Sequence, residues 1–374
     1  MNNGTHTYAS AFVDLATYSD NTRDLYQGEY DVNLYRPSVP ISTSSWNARI
    51  SCPLHRLEED TLSFHISRES DLVTHVWVEI TLPALPHRCE WRKHLGHYLF
   101  KSIIFRLNED VIQRFTPEIL DARMAFTQDD EYFRMISAHG TEAQTILLPI
   151  PFFFSNTSSD ALLLSAIPYQ VVTLDLILDS IEHLVIEKTN DEQLNKPDLL
   201  HQLMDGVQAH ANGIIVTEEE RKNITLQSHV KVMEQDEIRI SSSPTVDLQF
   251  NYPVKVLYFM VREKGATDYI KLKGGIRLYF EETIRFYHPA HYFSQVQPYQ
   301  QPHTHIPKED GYHFYSFAQD LTSLQPTGSP NFGGLTNVSL EFDETLPRDK
   351  EYEFIVIATL IRTITYAKNV YLNE

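Results

Sequence analysis

Alternation of apolar and polar positions, which is typical of half-buried β-strands, recurs along the whole chain. The segment VWVEITL (76–82) is apolar at every second position, and IRLYF (276–280) and VSLEF (338–342) repeat the pattern. The segment EYEFIVIATLIRTITYA (351–367) is rich in β-branched residues and is apolar at both odd and even positions for much of its length. These patterns predict strands in both halves, and a central strand covered on both faces near the end.

Helical signals are few and short. Thr116 and Pro117 suit the N-cap and the first position of a short helix. Residues 197–213, PDLLHQLMDGVQAHANG, place Leu200, Leu203, Met204 and Val207 on one face, which predicts a helix that stops near Gly213. The charged segment 216–223, VTEEERKN, suits a linker or a short helical turn.

The spacing of these elements predicts an all-β fold. Turn clusters separate the strands about every ten residues, and a β-α-β rhythm is almost absent, which favours antiparallel sandwiches. A chain of 374 residues is long enough for two such domains.

Charge and cysteine content narrow the functional classes. With 50 acidic and 31 basic residues the formal net charge is −19, which argues against binding to phosphate backbones. Cys52 and Cys89 are the only two cysteines, too few for a disulfide framework, so a reducing intracellular setting is expected. The first 20 residues lack the pattern of a secretory signal, and the apolar run 146–154 is too short to span a membrane.

One histidine-rich segment has metal-ligand spacing. In HTHIPKE, His303, His305 and Glu309 match the first metal motif of cupins, in which two histidines on one strand face chelate an ion. Gln297 stands where that motif has glycine, and Asn331 stands where its later histidine belongs. A bicupin-like metalloenzyme or a lectin-like sandwich is therefore an alternative, and histidines in a polar loop are the simpler interpretation.

Signatures of catalysis are missing from the rest of the sequence. It contains no Gly-x-Ser-x-Gly elbow, Walker loop or Gly-x-Gly-x-x-Gly motif, so no enzymatic activity and no cofactor are predicted. The block 286–335 is instead rich in Tyr, Phe and Pro, which lose little rotamer entropy on docking. This block is predicted to present contact surfaces to neighbouring subunits.

Five segments together resemble the major capsid proteins of nucleocytoplasmic large DNA viruses, of the iridovirus and phycodnavirus type. The most specific is 286–342, which contains QPYQQPHTHIP, YSFA and QPTGSPNF in the family's order. Tyr252 departs from the family pattern, and so do Ser329 and Pro330. The other four segments are 94–120, 147–178, 214–224 and 252–263.

The resemblance implies a double jelly roll, that is, two consecutive eight-stranded antiparallel jelly rolls with short helices in loops. The expected organisation is an N-terminal arm over 1–20, a first jelly roll over 21–215, a linker over 216–226 and a second jelly roll over 227–374.

The resemblance also implies the function of a major capsid protein. Pseudo-hexagonal homotrimeric capsomers would tile an icosahedral shell, contacting neighbouring capsomers and minor capsid proteins above an internal lipid membrane, without direct contact to nucleic acid. The protein would be made and assembled in the host cytoplasm and reside in the virion. A viral membrane-scaffolding paralogue is the remaining alternative.

The 286–335 block supplies the candidate trimer contacts. Loss of either Phe332 or Tyr299 is predicted to convert trimers to monomers. The full set is Tyr299, Gln300, Phe317, Pro326, Gly328, Asn331 and Phe332.

Overall fold

The computed structural model describes residues 45–373, except 58–59, 87, 128, 156–159, 188–194, 227–228, 323–326, 344–345, 348 and 368–369. These residues form two compact units. In their described parts, the first unit contains residues 45–120, 129–233 and 363–373, and the second unit contains residues 234–362 together with 121–127.

Two main antiparallel sheets and a small two-stranded sheet form the first unit. One sheet has the order β1-β12-β4-β8, with β9 beside β4, and the other has the order β2-β3-β10-β6-β7. The small sheet pairs β5 with β11. The strands are β1 (Trp46–Ile50), β2 (Leu54–Leu57), β3 (Thr61–His65), β4 (Leu72–Leu82), β5 (Cys89–Trp91), β6 (Phe100–Leu107), β7 (Asp110–Phe115), β8 (Gln144–Ile150), β9 (Leu162–Leu163), β10 (Val172–Leu178), β11 (Val185–Glu187) and β12 (Val207–Ile215).

The remaining strands form two further sheets. One has the order β13-β20-β15-β18, with β21 beside β20, and the other has the order β14-β19-β16-β17. The strands are β13 (His229–Ser241), β14 (Thr245–Asp247), β15 (Val254–Glu263), β16 (Gly275–Phe280), β17 (Thr283–Pro289), β18 (His313–Ser316), β19 (Val338–Asp343), β20 (Tyr352–Ala367) and β21 (Val370–Asn373).

The two pairs of main sheets share one strand order. The sheet β1-β12-β4-β8 corresponds to β13-β20-β15-β18, and β3-β10-β6-β7 corresponds to β14-β19-β16-β17, while β2, β9 and β21 are additional strands. That arrangement is the jelly roll, in which two Greek keys close a sandwich. The predicted fold class is therefore confirmed.

Burial follows the alternation seen in the sequence. In β4, Val76, Val78, Ile80 and Leu82 are each at most 2% exposed, whereas Trp77, Glu79 and Thr81 between them are partly or fully exposed. Residues 354–361 of β20 are buried on both faces, as predicted for a central strand.

Short helices lie in the connections between strands. Pro117 begins the second of these helices, as predicted, although the side-chain hydroxyl of Thr116 makes no hydrogen bond. None of the helices in the described residues is long and apolar enough to cross a membrane. They are α1 (Leu95–Tyr98), α2 (Pro117–Ala125), α3 (Asp130–Ile136), α4 (Ile181–Leu184), α5 (Lys196–Asp205), α6 (Glu218–Leu226) and α7 (Gln297–Gln300), with a π-helical turn at Tyr292–Val296 and 3₁₀ turns at Leu164–Ala166 and Phe332–Gly334.

The predicted extension of α5 to Gly213 is wrong. The helix ends at Asp205, and the next residues form β12, in which Val207 lies opposite Ile80 of β4. A Cβ on Gly206 would lie 2.4 Å from the carbonyl oxygen of Thr81, so only glycine fits where the helix meets the sheet. Pairing with β4 outweighs the helical spacing of these residues.

Candidate functional site

The block of residues 286–335 connects β17 to β19 in the second unit. It contains the π-helical turn, α7, β18 and the 3₁₀ turn at Phe332–Gly334. Of the predicted contact residues in this block, Pro326 lies outside the described residues. Of the remaining six, two are exposed, three are partly buried and one is buried.

Tyr299 and Gln300 lie on the surface. The side chain of Tyr299 is 82% exposed at the end of α7. The turn below it is fixed by the buried amide of Gln297, which donates to the hydroxyl of Tyr292 at 2.9 Å and accepts from the backbone of Ser316 at 3.3 Å. A rigidly supported, solvent-facing tyrosine is the kind of residue that fills a pocket on a partner.

Phe332 and Phe317 face the interior of the second unit. Phe332 is 2% exposed, and its ring centroid lies 5.3 Å from that of Phe280 and 5.8 Å from that of Phe317. Phe317 is partly buried against the same core. The position of Phe332 is therefore set by packing in its own core.

Gly328 and Asn331 support the backbone of the same loop. Gly328 has φ +156°, and a Cβ there would lie 2.4 Å from the carbonyl oxygen of Phe317. The side-chain oxygen of Asn331 accepts a 3.1 Å hydrogen bond from the backbone of Gly333 and caps the 3₁₀ turn. Both residues thus shape the loop by local backbone contacts.

The predicted metal-ligand segment does not converge on one point. His303, His305 and Glu309 are all exposed, and no group of three His, Cys, Asp or Glu side chains within the described residues could hold a metal ion. The backbone N–H of His305 donates instead to the carbonyl of Phe126 at 2.8 Å. His303 has φ +58°, so the segment turns sharply and lacks the straight strand that the spacing requires.

A buried carboxylate anchors the predicted linker segment. The sequence did not reveal this contact. Asp71 accepts from Arg221 Nε at 2.5 Å and from Nη2 at 2.9 Å, and also from the backbone of Val216 at 3.0 Å. Burial opposes the charge on Asp71, but these hydrogen bonds hold its pKa below the usual value. The pair fixes α6 to the first unit.

The start of α6 is closed by a capping box. The carboxylate of Glu220 accepts from the backbone of Thr217 at 3.0 Å, and the hydroxyl of Thr217 accepts from the backbone of Glu220 at 3.4 Å. The Thr-x-x-Glu spacing that makes this box is visible in TEEE, so the start of this helix could have been predicted from the sequence. The linker segment is thus a nine-residue helix with a defined beginning.

Replacing Arg221 by alanine is expected to lower the free energy of unfolding of the first unit by about 2–3 kcal/mol. The buried carboxylate of Asp71 would lose its bidentate partner, and lysine at this position would restore only part of the loss. Tryptophan fluorescence during urea denaturation measures the effect, because all three tryptophans (Trp46, Trp77 and Trp91) lie in the first unit.

Lys222→Ala is the matched control on the same helix. Its ammonium is 65% exposed and pairs with Glu218 at 2.8 Å, so its loss should cost less than about 0.5 kcal/mol. Equal losses for the two variants would contradict the anchoring role of Arg221.

A second buried charge network lies in the second unit. Arg123 Nη1 donates at 2.7 Å to Asp236, whose side chain is fully buried and also accepts from the hydroxyl of Thr359 at 2.6 Å. Burial opposes the charge on Arg123, but Asp236 and Glu234 more than offset this and raise its pKa. The sequence did not reveal this network, because its members lie far apart along the chain.

Two protein-family models match the chain. Residues 52–252 match the model described as major capsid protein N-terminus. Residues 274–370 match the model described as large eukaryotic DNA virus major capsid protein. The first model alone covers more than half of the chain, and the second model begins after the first one ends.

Curated relatives agree with these models over most of their length. The major capsid protein of Lymphocystis disease virus 1 (isolate Darai) is 27% identical, with 89% of this chain and 87% of the relative covered. The major capsid protein of Frog virus 3 (isolate Goorha) is 25% identical, with 88% and 87% covered.

Solved structures show the same fold at low sequence identity. PBCV-1 VP54, fitted into a reconstruction of the virophage Sputnik, gives a TM-score of 0.72 at 18% identity and covers 89% of this chain and 97% of its own. The Faustovirus major capsid protein gives 0.67 at 11% identity and covers 87% and 90%. At these identities, both similarities show a shared fold.

Proposed function

The chain belongs to the family of large eukaryotic DNA virus major capsid proteins, and on that premise we propose that three copies form a pseudo-hexagonal capsomer. The membership makes the chain a structural protein of the virion capsid, as the sequence predicted. Homotrimer formation, assembly in the host cytoplasm and contact with minor capsid proteins are the proposed part. The domain limits are also proposed: an arm over 1–20, a first jelly roll over 21–215, a linker over 216–226 and a second jelly roll over 227–374.

The repeated strand order of the two units carries the proposal. The sheet orders β1-β12-β4-β8 and β3-β10-β6-β7 recur as β13-β20-β15-β18 and β14-β19-β16-β17, so one chain offers two similar building blocks. Three such chains around a threefold axis give six similar blocks, an outline close to a hexagon. Hexagonal units pack edge to edge, and contacts between different edges extend the layer into a shell.

We assign the direct trimer contacts to the exposed part of the 286–335 block. Tyr299 and Gln300 stand on a turn that is tied to β18, so little conformational entropy is lost when a partner covers them. Phe317, Gly328, Asn331 and Phe332 act indirectly in this proposal, because they hold the loop in place from inside the unit.

Replacing Tyr299 by alanine is expected to shift the trimer toward monomer, with a loss of about 2 kcal/mol per contact. That corresponds to roughly a 30-fold weaker contact. Sedimentation velocity over a range of protein concentrations measures the shift, and negative-stain images of the wild type should show hexagonal particles.

Tyr169→Ala is the control for this experiment. Tyr169 is 81% exposed but lies in the first unit, outside the 286–335 block, so its loss should leave the trimer intact. A Tyr299→Ala trimer as stable as the wild type would refute the assigned contact. Monomeric wild-type protein at every concentration would refute the homotrimer itself.

The charge of the chain supports the remaining partner proposals. A formal net charge of −19 disfavours direct contact with the genome, because no counterions are released when acidic surfaces meet phosphates. We propose that an internal lipid membrane lies between the shell and the nucleic acid.

A further inference from the structure

A cleft of 490 Å³ lies at one edge of the second sheet of the first unit. Its walls come from the β2–β3 hairpin and from the turn that precedes β10. Because β2 is the outermost strand of its sheet, the cleft lies where the sheet has the fewest neighbours. Three of its lining residues (His55, His65 and Gln170) have metal-binding side chains.

Two histidines meet in this cleft. His55 on β2 and His65 on β3 have ring centroids 3.9 Å apart, with the rings inclined by 77°. The pairing of the two strands shifts register between Leu54 and Arg56, and this irregularity occurs at His55. Neighbouring imidazoles on paired strands can chelate a single ion.

Two buried polar atoms in the cleft make no hydrogen bond. They are Nε2 of His65 and Oε1 of Gln170, and both residues line the same cleft. An unsatisfied buried polar atom costs about 1–3 kcal/mol, so two of them in one cleft point to a missing ligand.

The arginine that lines the cleft, Arg68, is engaged by backbone carbonyl oxygens. Arg68 holds the backbone next to this site. Its guanidinium donates to the backbone carbonyl oxygen of Gln170 and, at 2.7 Å, to the backbone carbonyl oxygen of Ile167. The positive charge of Arg68 is thus directed at backbone carbonyls.

We propose that His55, His65 and Gln170 form a binding site for a divalent first-row transition-metal ion, with Zn²⁺ as the representative. The two imidazole nitrogens favour Zn²⁺, Ni²⁺ or Co²⁺ and the amide oxygen completes the set, whereas Mg²⁺ and Ca²⁺ take oxygen ligands. The remaining positions are taken by water. The bound ion joins the edge hairpin to the turn before β10 and stiffens this end of the first unit.

Calorimetric titration of the full-length chain, without a histidine tag, tests the site with ZnCl₂ at pH 7.5. One saturable ion per chain is expected. His55→Gln or His65→Gln should weaken binding by more than about 100-fold, and Gln170→Leu by about 10-fold. Zn²⁺ should also raise the melting temperature followed by tryptophan fluorescence in the wild type, but not in the histidine variants.

His201→Gln is the control, since His201 is an exposed histidine on α5 away from the cleft, and it should bind Zn²⁺ like the wild type. If His65→Gln fails to fold, the His55→Gln variant still tests the site, because His55 is exposed. The proposal is overturned if the wild type shows no saturable binding below millimolar Zn²⁺. It is equally overturned if both histidine variants bind like the wild type, or if Mg²⁺ binds as tightly as Zn²⁺.

Discussion

Replacing Asp236 by alanine is expected to lower the free energy of unfolding of the second unit by about 3–5 kcal/mol. Its carboxylate, with a side chain 0% exposed, accepts hydrogen bonds from Arg123 at 2.7 Å and from Thr359 at 2.6 Å. Removal leaves the hydroxyl of Thr359 without this partner and leaves the buried guanidinium of Arg123 with the more distant carboxylate of Glu234 at 3.8 Å. Far-UV circular dichroism during urea denaturation measures the loss, because every tryptophan of the chain lies in the first unit.

Two further variants separate the buried charge from a general effect of losing a carboxylate. Glu351→Ala removes an exposed partner of Lys264 at 2.8 Å and should cost far less stability, because solvent screens this pair. Asp236→Ala combined with Arg123→Met removes both charges and should recover part of the stability. Equal losses for Asp236→Ala and Glu351→Ala would contradict the importance of the network.

The network also explains why residues 121–127 belong to the second unit. Within this segment, Arg123 binds Asp236, and Phe126 packs against Phe314 at 4.7 Å and Tyr258 at 5.9 Å. A segment that follows β7 in the sequence is thus held against the β13-β20-β15-β18 sheet by both charge and aromatic contacts. The two units are consequently not two contiguous halves of the chain.

Much of the fold could be predicted from local patterns. Period-two alternation located β4, β16 and β19, and the doubly apolar run located β20, because strand burial repeats every second residue. The family's motifs then supplied the jelly-roll connectivity, which alternation alone does not specify. The helix predicted through Gly213 failed where pairing with β4 overrode helical spacing.

Contacts between distant residues could not be predicted in the same way. Arg123 and Asp236 are 113 residues apart, and no pattern in either segment marks the other as its partner. His303 and His305 have the spacing of metal ligands but lie exposed on a turn, whereas His55 and His65 meet across a hairpin with no motif to mark them. Side-chain convergence depends on register and bulges, which are set by tertiary packing.

Aromatic residues in one loop illustrate the same limit. Tyr299 and Phe332 both belong to the 286–335 block, yet one side chain is 82% exposed and the other 2% exposed. Composition identified the block as rich in contact-forming residues, but it could not separate outward contacts from core packing. The two residues therefore call for different experiments, one on assembly and one on stability.

Replacing Phe332 by alanine is expected to destabilise the second unit by about 3–5 kcal/mol, because a buried aromatic ring leaves a cavity. Its ring lies between those of Phe280 at 5.3 Å, Phe317 at 5.8 Å and Phe250 at 6.3 Å. Urea denaturation followed by far-UV circular dichroism measures the loss, and Phe332→Leu, which fills more of the space, should lose less. Any weakening of self-association in the folded fraction of Phe332→Ala should be smaller than for Tyr299→Ala, because Phe332 holds the loop only from inside the unit. Full stability combined with loss of self-association would instead identify Phe332 as a direct subunit contact and overturn its assignment to the core.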